Sequence, residues 1–447
     1  MRDAFQGLTT RGRSFVAAGI AVLVAAAASA AEDLLRVAVL LLALPVVSAL
    51  VVSRTRYRLS SGRRLWSPRT AAGQESAVTL RLDNISRLPT GLLLVEDRVP
   101  YVLGSRPRFV LDRVEPRGRR EVTYTVRSDV RGRYQLGPLS IRLTDPFGMC
   151  ELTRSFSSRD TLVVTPPVQE LPLVPLTGEW TGSGESRSRS LASAGEDDAG
   201  TREYRQGDDL RRVHWRSTAR LGQLMVRREE QPWQARCTVL LDTRGTAHGG
   251  EGPGSSFEWA VSAAASVAIH LVQHGYFVRL VTDTGAQVGG GELAIDGRGA
   301  DVEGAILDSL AVIDTSANTS LRDAGASLRR GGGDGLLVAV LGSLAPEEAR
   351  LLSRLRHGST SAVAVLLDAQ SWGSPSRRGG PAVGSADGSA TLLRAAGWRV
   401  LPARAGENLP ELWRDASRHR VPDPLDPANT AGKVAASPDA RVAGVGS

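Results

Sequence analysis

The densest group of chemically capable side chains lies between residues 202 and 230, which we call the Arg-rich segment. Its sequence is REYRQGDDLRRVHWRSTARLGQLMVRREE. These 29 residues hold eight Arg and five acidic residues around Tyr204, His214, Trp215 and Met225. Guanidinium groups packed this densely near a core need carboxylate partners, so the composition indicates a network of ion pairs. The network either fixes the segment on the domain that follows or forms a docking surface for a partner or an anion.

Other combinations that could support catalysis are incomplete. His270 and His274 stand four residues apart, as zinc ligands on one helix face do, but the Glu that such a motif carries beside its first His is absent. The glycine cluster at 331–335 precedes an apolar run, which is the wrong order for a dinucleotide-binding loop and indicates a turn. Cys150 and Cys237 are the two cysteines, which excludes a disulfide scaffold and fits a reducing compartment. We therefore predict no catalytic residue, no cofactor and no enzymatic activity.

The charge of the chain points to anionic surfaces. The 447 residues carry a net charge of +8, and Lys433 is the only lysine among 55 basic residues. The arginines are dispersed rather than gathered in a Lys-containing arm, so they indicate a GC-rich genome more than a nucleic-acid-binding protein. The Arg-rich segment also has too few aromatic residues for a platform that stacks bases. Excess positive charge still favours the inner face of a membrane.

Two apolar stretches near the N-terminus are long enough to cross a membrane. Ser14 to Ala31 contains no charge, and Leu34 to Val52 has one near its start, so we predict a transmembrane helical hairpin over 14–53. Arginines flank both outer ends, and positive charges close to a span stay cytoplasmic. We therefore place residues 1–13 and the whole chain after the hairpin in the cytoplasm, at the plasma (inner) membrane. Ala28-Ser29-Ala30 has the form of a signal-peptidase site, which leaves cleavage of the first span open.

The remaining chain is predicted to be multidomain, with a β-rich and an α/β part. Alternating runs rich in Thr, Val and Tyr predict an antiparallel β-sandwich of about seven strands over residues 66–168. The clearest runs are Ala77–Leu82, Glu121–Val126 and Leu139–Leu143. Continuous apolar runs between helical patterns predict a doubly wound α/β domain over 236–415, where ligands bind at the carboxyl ends of strands such as the one before Asp242. The other boundaries are a linker or mobile loop at 169–200, the Arg-rich motif at 201–235 and a disordered tail at 422–447.

Residues in and before the Arg-rich segment have the types and spacing of a known family. They are Arg202, Glu203, Tyr204, Arg205, Gly207, Asp208, Asp209, Arg211, Arg212, His214, Trp215, Thr218, Ala219, Arg220, Gly222, Leu224, Val226 and Arg227, with the upstream runs Arg131-Gly132-Arg133-Tyr134, Leu136-Gly137-Pro138-Leu139 and Asp145-Pro146-Phe147-Gly148. This pattern resembles the bacterial domain-of-unknown-function 58 family. The resemblance implies a membrane anchor, a β-sandwich and a C-terminal domain like von Willebrand factor A. It also implies partners, because members are usually found beside MoxR-type AAA+ ATPases and transglutaminase-like membrane proteins.

The resemblance to von Willebrand A domains singles out the loop after the first α/β strand. Metal-binding domains of that kind carry Asp-x-Ser-x-Ser there, and its oxygens hold Mg²⁺. In this chain Asp242 and Thr246 match the first and last positions, but Arg244 replaces the central Ser. A guanidinium repels a cation rather than ligating it. We expect Asp242 to pair with Arg244 and to bind no metal.

These observations predict a membrane-anchored, non-enzymatic adaptor that faces the cytoplasm and binds a protein partner, a MoxR-type AAA+ ATPase, in complex assembly or cell-envelope processes. The residues predicted to contact the partner or to define the motif are Arg202, Glu203, Tyr204, Arg205, Gly207, Asp208, Asp209, Arg211, Arg212, His214, Trp215 and Arg220. The alternative is a Mg²⁺-dependent ligand-binding or hydrolytic domain that uses Asp242 and Thr246. A third hypothesis, nucleic-acid binding, requires steeply salt-dependent retention on DNA.

Overall fold

The computed structural model separates the chain into two compact units. The first contains Met1–Pro167 and Leu307–Ile313, and the second contains Val168–Ile306 and Asp314–Ser447. The structure describes residues 7–29, 31–54, 59–87, 89–90, 92–145, 147–174, 201–204, 213–227, 236–288, 299–330, 335–355, 361–373 and 386–416. The predicted tail, most of the predicted linker and most of the predicted glycine turn lie outside these residues.

The first unit begins with two apolar helices, α1 at Thr10–Ser29 and α2 at Glu32–Arg54. Both are long and apolar enough to cross a membrane. Along their central parts both helices expose large apolar side chains, such as Leu40, which is 67% exposed. Where the helices meet, a Cβ on Gly19 would come within 2.8 Å of the Leu42 side chain, so the missing side chain allows close packing. The two predicted apolar stretches therefore fold as helices that meet the length requirement for a span.

Ten strands follow in the described part of residues 59–165. They are β1 at Leu59–Leu65, β2 at Arg69–Ala71, β3 at Glu75–Asn84, β4 at Leu93–Asp97, β5 at Arg108–Leu111, β6 at Arg119–Arg127, β7 at Gly132–Leu136, β8 at Leu139–Thr144, β9 at Glu151–Phe156 and β10 at Asp160–Thr165. They form three sheets with the orders β1-β3-β6, β2-β10-β7 and β5-β4-β8-β9. One hydrophobic core, which includes Leu80, Leu93 and Leu162, takes residues from all three sheets. We call this part the β domain.

The β domain has more strands than the sequence pattern predicts, and it starts earlier. The three predicted runs lie in β3, β6 and β8. The pattern misses β1, because its sequence LSSGRRL is polar and contains Gly. It also misses β2, because three residues are too few to show an alternation.

The second unit opens with a short ribbon and continues with a six-stranded sheet. The ribbon consists of β11 at Thr201–Glu203, α3 at Trp215–Leu221 and β12 at Met225–Arg227. The strands of the sheet are β13 at Arg236–Leu241, β14 at Phe277–Thr282, β15 at Gln287–Val288, β16 at Leu336–Leu341, β17 at Ser361–Leu367 and β18 at Arg399–Ala403. The helices are α4 at Ser256–Gln273, α5 at Gly299–Ala311, α6 at Arg322–Arg330, α7 at Pro346–Ser353, α8 at Ala386–Ala395 and α9 at Leu409–Asp415. The end of α5, from Leu307, belongs to the first unit.

The topology of this sheet creates a crevice beside its first strand. The order is β15-β14-β13-β16-β17-β18, and every pair is parallel except the pair formed by the edge strand β15. The central strands β13, β16 and β17 are buried almost throughout, which explains their unbroken apolar sequences. After β13 the chain continues to β14 on one side of the sheet, and after β16 it continues to β17 on the other side. Ligands of such sheets bind between the carboxyl ends of the two strands at which the order reverses, here β13 and β16. Asp242 follows β13, and Gly342 follows β16.

Candidate functional site

The family-like motif folds as a strand, a helix and a second strand. β11 pairs antiparallel with β12, and Val213 forms a further bridge to Val226. The His214 N–H donates to the Met225 carbonyl at 2.7 Å, and the Thr218 hydroxyl accepts from the Met225 N–H at 3.0 Å. Val213, Met225 and Val226 are buried. The ribbon therefore holds α3 on a small apolar layer, and Thr218 satisfies a backbone donor there.

Half of the predicted partner-contacting residues are described by the structure. Arg202 and Glu203 are in β11, Tyr204 and His214 are half-buried, and Trp215 and Arg220 are exposed. Arg205, Gly207, Asp208, Asp209, Arg211 and Arg212 lie outside the described residues. Four of the five acidic residues of the Arg-rich segment also lie outside them, so its ion-pair network stays a prediction. The fifth, Glu203, accepts a hydrogen bond from the Gln223 side chain at 2.8 Å.

α3 and the turn after it expose large apolar side chains. Trp215 is 69% exposed, Leu221 57% and Leu224 40%. Arg216 and Arg220 are exposed one turn apart on the same helix. Scattered exposed apolar residues are ordinary, but a Trp accompanied by Leu and Arg has the composition of a protein-binding surface. Leu221 was not predicted as a candidate; it follows Trp215 by six residues, which places the two side chains about 120° apart around the helix axis.

A second group of polar side chains, which we call the strand-exit cluster, lies beyond the carboxyl end of β13. Its members are Asp242, Thr243, Arg244, Asp283, Ser316 and Glu348. The Arg244 Nε and Nη2 donate to the two carboxylate oxygens of Asp242 at 2.9 and 2.8 Å. The Arg244 Nη1 donates to Glu348 at the start of α7. The predicted pairing of Asp242 with Arg244 is confirmed, whereas Glu348 carries no local signal because it lies 104 residues further along the chain.

The other polar atoms of the strand-exit cluster have partners as well. Asp242 Oδ2 also accepts from the Gly342 N–H at 3.2 Å. Asp283 accepts from the Thr243 N–H at 3.1 Å and from the Ser316 hydroxyl at 2.6 Å. Burial by itself would lower the pKa of Arg244, but the hydrogen bonds with the two carboxylates outweigh it and raise that pKa. The cluster is therefore a closed set of charge-assisted hydrogen bonds.

The residues of the strand-exit cluster do not fit a divalent cation. The Arg244 guanidinium already engages both oxygens of Asp242, and it would repel a metal ion. Thr246, the other candidate ligand, is exposed in the turn Gly245–Ala247. Within the described ranges, no group of three His, Cys, Asp or Glu side chains is arranged to hold a metal. A Mg²⁺ ion needs several oxygen ligands around an open centre, and a guanidinium occupies that position here.

His248 lies next to the strand-exit cluster and connects Asp242 to the first residue of α4, Ser256. Its Nε2 lies 2.8 Å from the Asp242 carbonyl oxygen, and its Nδ1 lies 3.1 Å from the Ser256 hydroxyl. A carbonyl oxygen only accepts, so Nε2 carries the proton and Nδ1 accepts from Ser256. Burial lowers the pKa of His248, which favours this neutral form.

The two histidines and the two cysteines that the sequence singled out pack against other side chains. The His270 and His274 rings lie 4.3 Å apart, and His270 also meets the Trp413 ring edge-on. Burial, and then the charge of His274, lowers the pKa of His270. Cys150 and Cys237 are buried free thiols.

The upstream family-like residues stabilise turns of the first unit. Arg131 is 8% exposed, and its Nη1 donates to the Leu310 carbonyl at 2.9 Å within that unit. The Asp145 carboxylate accepts from the Cys150 N–H at 2.7 Å and closes the turn at 145–150.

Comparisons with solved structures give weak likenesses. The CARDB domain of a Pyrococcus furiosus protein is 12% identical, covers 24% of this chain and 91% of its own, and has a TM-score of 0.18. The putative ApaA protein from Bordetella pertussis is 13% identical with the same coverages and the same TM-score. At such scores the likenesses support no conclusion about fold or function.

Comparisons of sequence are more informative. The uncharacterized protein YeaD of Bacillus subtilis (strain 168) is 26% identical over 221 residues, which are 48% of this chain and 53% of YeaD. The chain thus spans about half the length of this curated relative. A family model described as "Protein of unknown function DUF58" matches residues 200–291, which include the ribbon, β13 and the strand-exit residues Asp242 to Asp283. Together with the motif of the Arg-rich segment, these matches support the resemblance of residues 200–291 to the DUF58 family.

Proposed function

We propose that the chain is a membrane-anchored adaptor without enzymatic activity, which binds a protein partner at the cytoplasmic side. The partner we propose is a MoxR-type AAA+ ATPase, with a transglutaminase-like membrane protein in the same assembly. The observation that carries the proposal is the exposure of Trp215, 69% exposed within the family motif. Trp is the side chain that contributes most often to binding hot spots, because it loses a large apolar surface when a partner covers it.

The charges around Trp215 suggest the chemistry of the partner surface. Arg216 and Arg220 are exposed on α3, and the neighbouring Leu221 and Leu224 are apolar and exposed. A complementary surface has a hydrophobic pocket for the indole ring and acidic residues around it. Such a surface on an AAA+ ATPase would accept α3 as a docking element.

The strand-exit cluster supports a binding role rather than a catalytic one. We propose that the α/β domain is like von Willebrand factor A and that the β domain is a sandwich that serves as a spacer. In such an α/β domain the exit of β13 is the position of a ligand or metal. Here the Arg244 guanidinium engages Asp242 and Glu348 at that position, so these two carboxylates are held as ion pairs rather than as free acid–base groups.

The two apolar helices support the anchor. Their central parts expose large apolar side chains, and arginines flank both outer ends of the hairpin. Positive residues close to a span remain on the cytoplasmic side, so we propose two spans in the plasma membrane with both termini in the cytoplasm.

The test measures binding of the full-length protein in detergent to the purified MoxR-type ATPase of the same genome. Trp215→Ala removes the proposed anchor, and we expect at least about tenfold weaker binding. Tyr101→Ala is the matched control, since Tyr101 is 91% exposed in the β domain, and we expect it to bind as the unmodified protein does. An unchanged dissociation constant for a folded Trp215→Ala variant would rule out α3 as the docking element.

Two double variants test whether binding depends on the charges of the Arg-rich segment or only on the net charge of the protein. Arg211→Glu with Arg212→Glu reverses two charges of the Arg-rich segment, and Arg106→Glu with Arg113→Glu reverses two exposed arginines of the β domain. Both double variants change the net charge equally. We expect the first to weaken ATPase binding strongly and the second to change only its salt dependence. Equal loss in both would show that only the overall positive charge matters.

A further inference from the structure

The start of α1 is joined to the turn at residues 145–150 by a short stretch of sheet. Leu8 and Cys150 form an antiparallel bridge. The Glu151 N–H donates to the Gly7 carbonyl at 2.7 Å. The β domain is thus hydrogen-bonded to the chain immediately before the helix.

The same turn also contacts the first turn of α1. The Thr9 N–H donates to the Met149 carbonyl at 2.9 Å, and the Thr9 hydroxyl donates to the Gly148 carbonyl at 2.7 Å. A Cβ on Gly12 would lie 2.4 Å from the Met149 carbonyl oxygen, so this close approach requires Gly. The Arg11 guanidinium lies beside the turn, with Nη1 3.8 Å from the place of a Cβ on Gly148.

Helix geometry gives the depth of this contact relative to a bilayer. The uncharged stretch of α1 begins at Ser14. Gly12 precedes Ser14 by two residues, about 3 Å along a helix axis. The headgroup layer on each side of the hydrocarbon is about 5–8 Å thick. If the hydrocarbon core of the bilayer begins at the level of Ser14, the turn at 145–150, which contacts Gly12, lies at the depth of the lipid headgroups.

Among the described residues of the turn, 145 and 147–150, the exposed side chain is that of Phe147. Phe147 is 56% exposed, whereas Asp145, Met149 and Cys150 are buried. The Asp145 carboxylate accepts from the backbone N–H groups of Phe147 at 3.2 Å and Cys150 at 2.7 Å. These bonds tie the backbone at Phe147 and Cys150 to the Asp145 carboxylate, so the phenyl ring extends from a hydrogen-bonded residue.

We propose that the turn at 145–150 is a lipid-binding surface and that Phe147 inserts into the interface of the cytoplasmic leaflet, on the same side of the membrane as Arg11, which lies beside the turn. This inference rests on the proposed membrane anchor and deepens it, because it seats the β domain on the bilayer. An aromatic ring is stabilised at the boundary between headgroups and acyl chains, and arginines pair with lipid phosphates. The occupant is the bilayer, because the surface is continuous with the spanning helix.

The test places an environment-sensitive fluorophore on the full-length protein in liposomes that contain anionic lipid. Phe147→Cys reports on the turn, Tyr101→Cys on a site that is 91% exposed in the same unit, and Val24→Cys on a site that is 65% exposed within α1. The native thiols Cys150 and Cys237 are each 1% exposed, and labelling of the unmodified protein measures their background. Quenching by nitroxide lipids, with the nitroxide near the headgroup or deep in the acyl chains, gives the depth of each label.

We expect headgroup-level quenching at residue 147 to exceed that at residue 101 by about twofold or more, with a blue-shifted emission. Quenching of residue 24 by the deep nitroxides shows that α1 crosses the bilayer.

If residue 24 is quenched and residue 147 behaves like residue 101, the turn does not bind lipid, whereas the proposed membrane anchor is supported. A blue shift at residue 147 without lipid quenching would mean that protein covers the turn, which also overturns the inference. If residue 24 is not quenched by deep nitroxides, the membrane anchor fails together with the inference.

Discussion

Each unit buries an arginine against an aspartate, and the two pairs have nearly the same local geometry. In the β domain, the Arg63 Nε and Nη2 donate to Asp97 at 3.1 and 2.6 Å. In the α/β domain, Arg244 binds Asp242 with the corresponding pair of atoms. Both arginine side chains are 3% exposed, and both aspartates are 0% exposed. Burial and bidentate bonding are therefore shared by the two pairs.

The surroundings of the two pairs differ. The Tyr124 hydroxyl donates to Asp97 at 2.6 Å, and the Arg63 Nη1 donates to Asp160 at 2.8 Å. These residues come from β1, β4, β6 and β10, which belong to all three sheets of the β domain. Burial, and then the bond to Asp97, raises the pKa of Tyr124, so the hydroxyl stays protonated and donates. Arg63 and its bonded partners therefore connect the three sheets of the β domain.

The Arg244 pair instead lies at the edge of one sheet, where β13 and β16 end. A ligand or a metal ion binds at that place in many sheets of this topology. Ion pairs of the same local geometry can therefore connect the layers of a core or lie at the sheet edge where other proteins bind a ligand. The location in the fold, rather than the pair itself, decides which role it has.

The largest effect is expected from Arg244→Met. The substitution leaves Asp242 and Glu348 without their cation in a site that water hardly reaches, so we expect a loss of about 3–5 kcal/mol in the free energy of unfolding. Denaturant unfolding of the full chain in detergent, followed by tryptophan fluorescence, measures it. Arg322→Met, an exposed arginine of the same unit, is the control and should change stability by less than about 0.5 kcal/mol. A similar small loss for both would mean that the strand-exit cluster is not a closed set of ion pairs.

A smaller loss is expected from Arg63→Met. Asp97 is fully buried, but the Asp160 side chain is 36% exposed and can be hydrated when Arg63 is removed. We therefore expect about 2–4 kcal/mol, below the value for Arg244. The neighbouring Arg64 is exposed on the same strand, and Arg64→Met is the matched control. A loss larger than that of Arg244→Met would reverse the comparison between the two pairs.

The strand-exit cluster should also make stability depend on pH through His248. Burial lowers the pKa of this residue in the folded state. Below an ordinary histidine pKa of about 6.5 this residue binds a proton in the unfolded chain but stays neutral in the folded chain. The free energy of unfolding therefore decreases as the pH falls from about 7. His248→Gln should flatten the profile in that range, and urea midpoints at several pH values measure the difference. Parallel profiles for the two proteins would contradict the neutral, buried His248.

The smallest effect is expected at the surface of the β domain. The hydrogen bond from Arg119, supported by Arg81, lowers the pKa of Asp83. Its contribution is present above an ordinary pKa of about 3.9 and is lost as the pH falls below that value. The arginine side chains are 52% and 44% exposed, so solvent screens the pairs, and we expect Asp83→Asn to lose about 0.5 kcal/mol or less at pH 7. A loss near that of Arg63→Met would show that burial is not what separates these ion pairs.

Parts of the candidate site follow directly from local sequence. The two apolar helices are visible because hydropathy acts over consecutive residues, and β13, β16 and β17 are visible because strands buried on both faces are continuously apolar. The pairing of Asp242 with Arg244 was also predictable, since the residues are two positions apart. The Arg63 cluster was missed entirely, because its four members come from four strands and no short window contains two of them.

The sequence by itself determined which segments are apolar helices and strands, which family the motif resembles, and that Arg244 stands two residues after Asp242. These properties depend on residue types at short spacing. Only the tertiary structure decided that Glu348, more than 100 residues away, completes the strand-exit cluster, and that the turn at 145–150 is bonded to the start of α1. Contacts between distant segments depend on how the strands and helices pack, and hydrophobic burial in the core sets that packing without specifying polar partners locally.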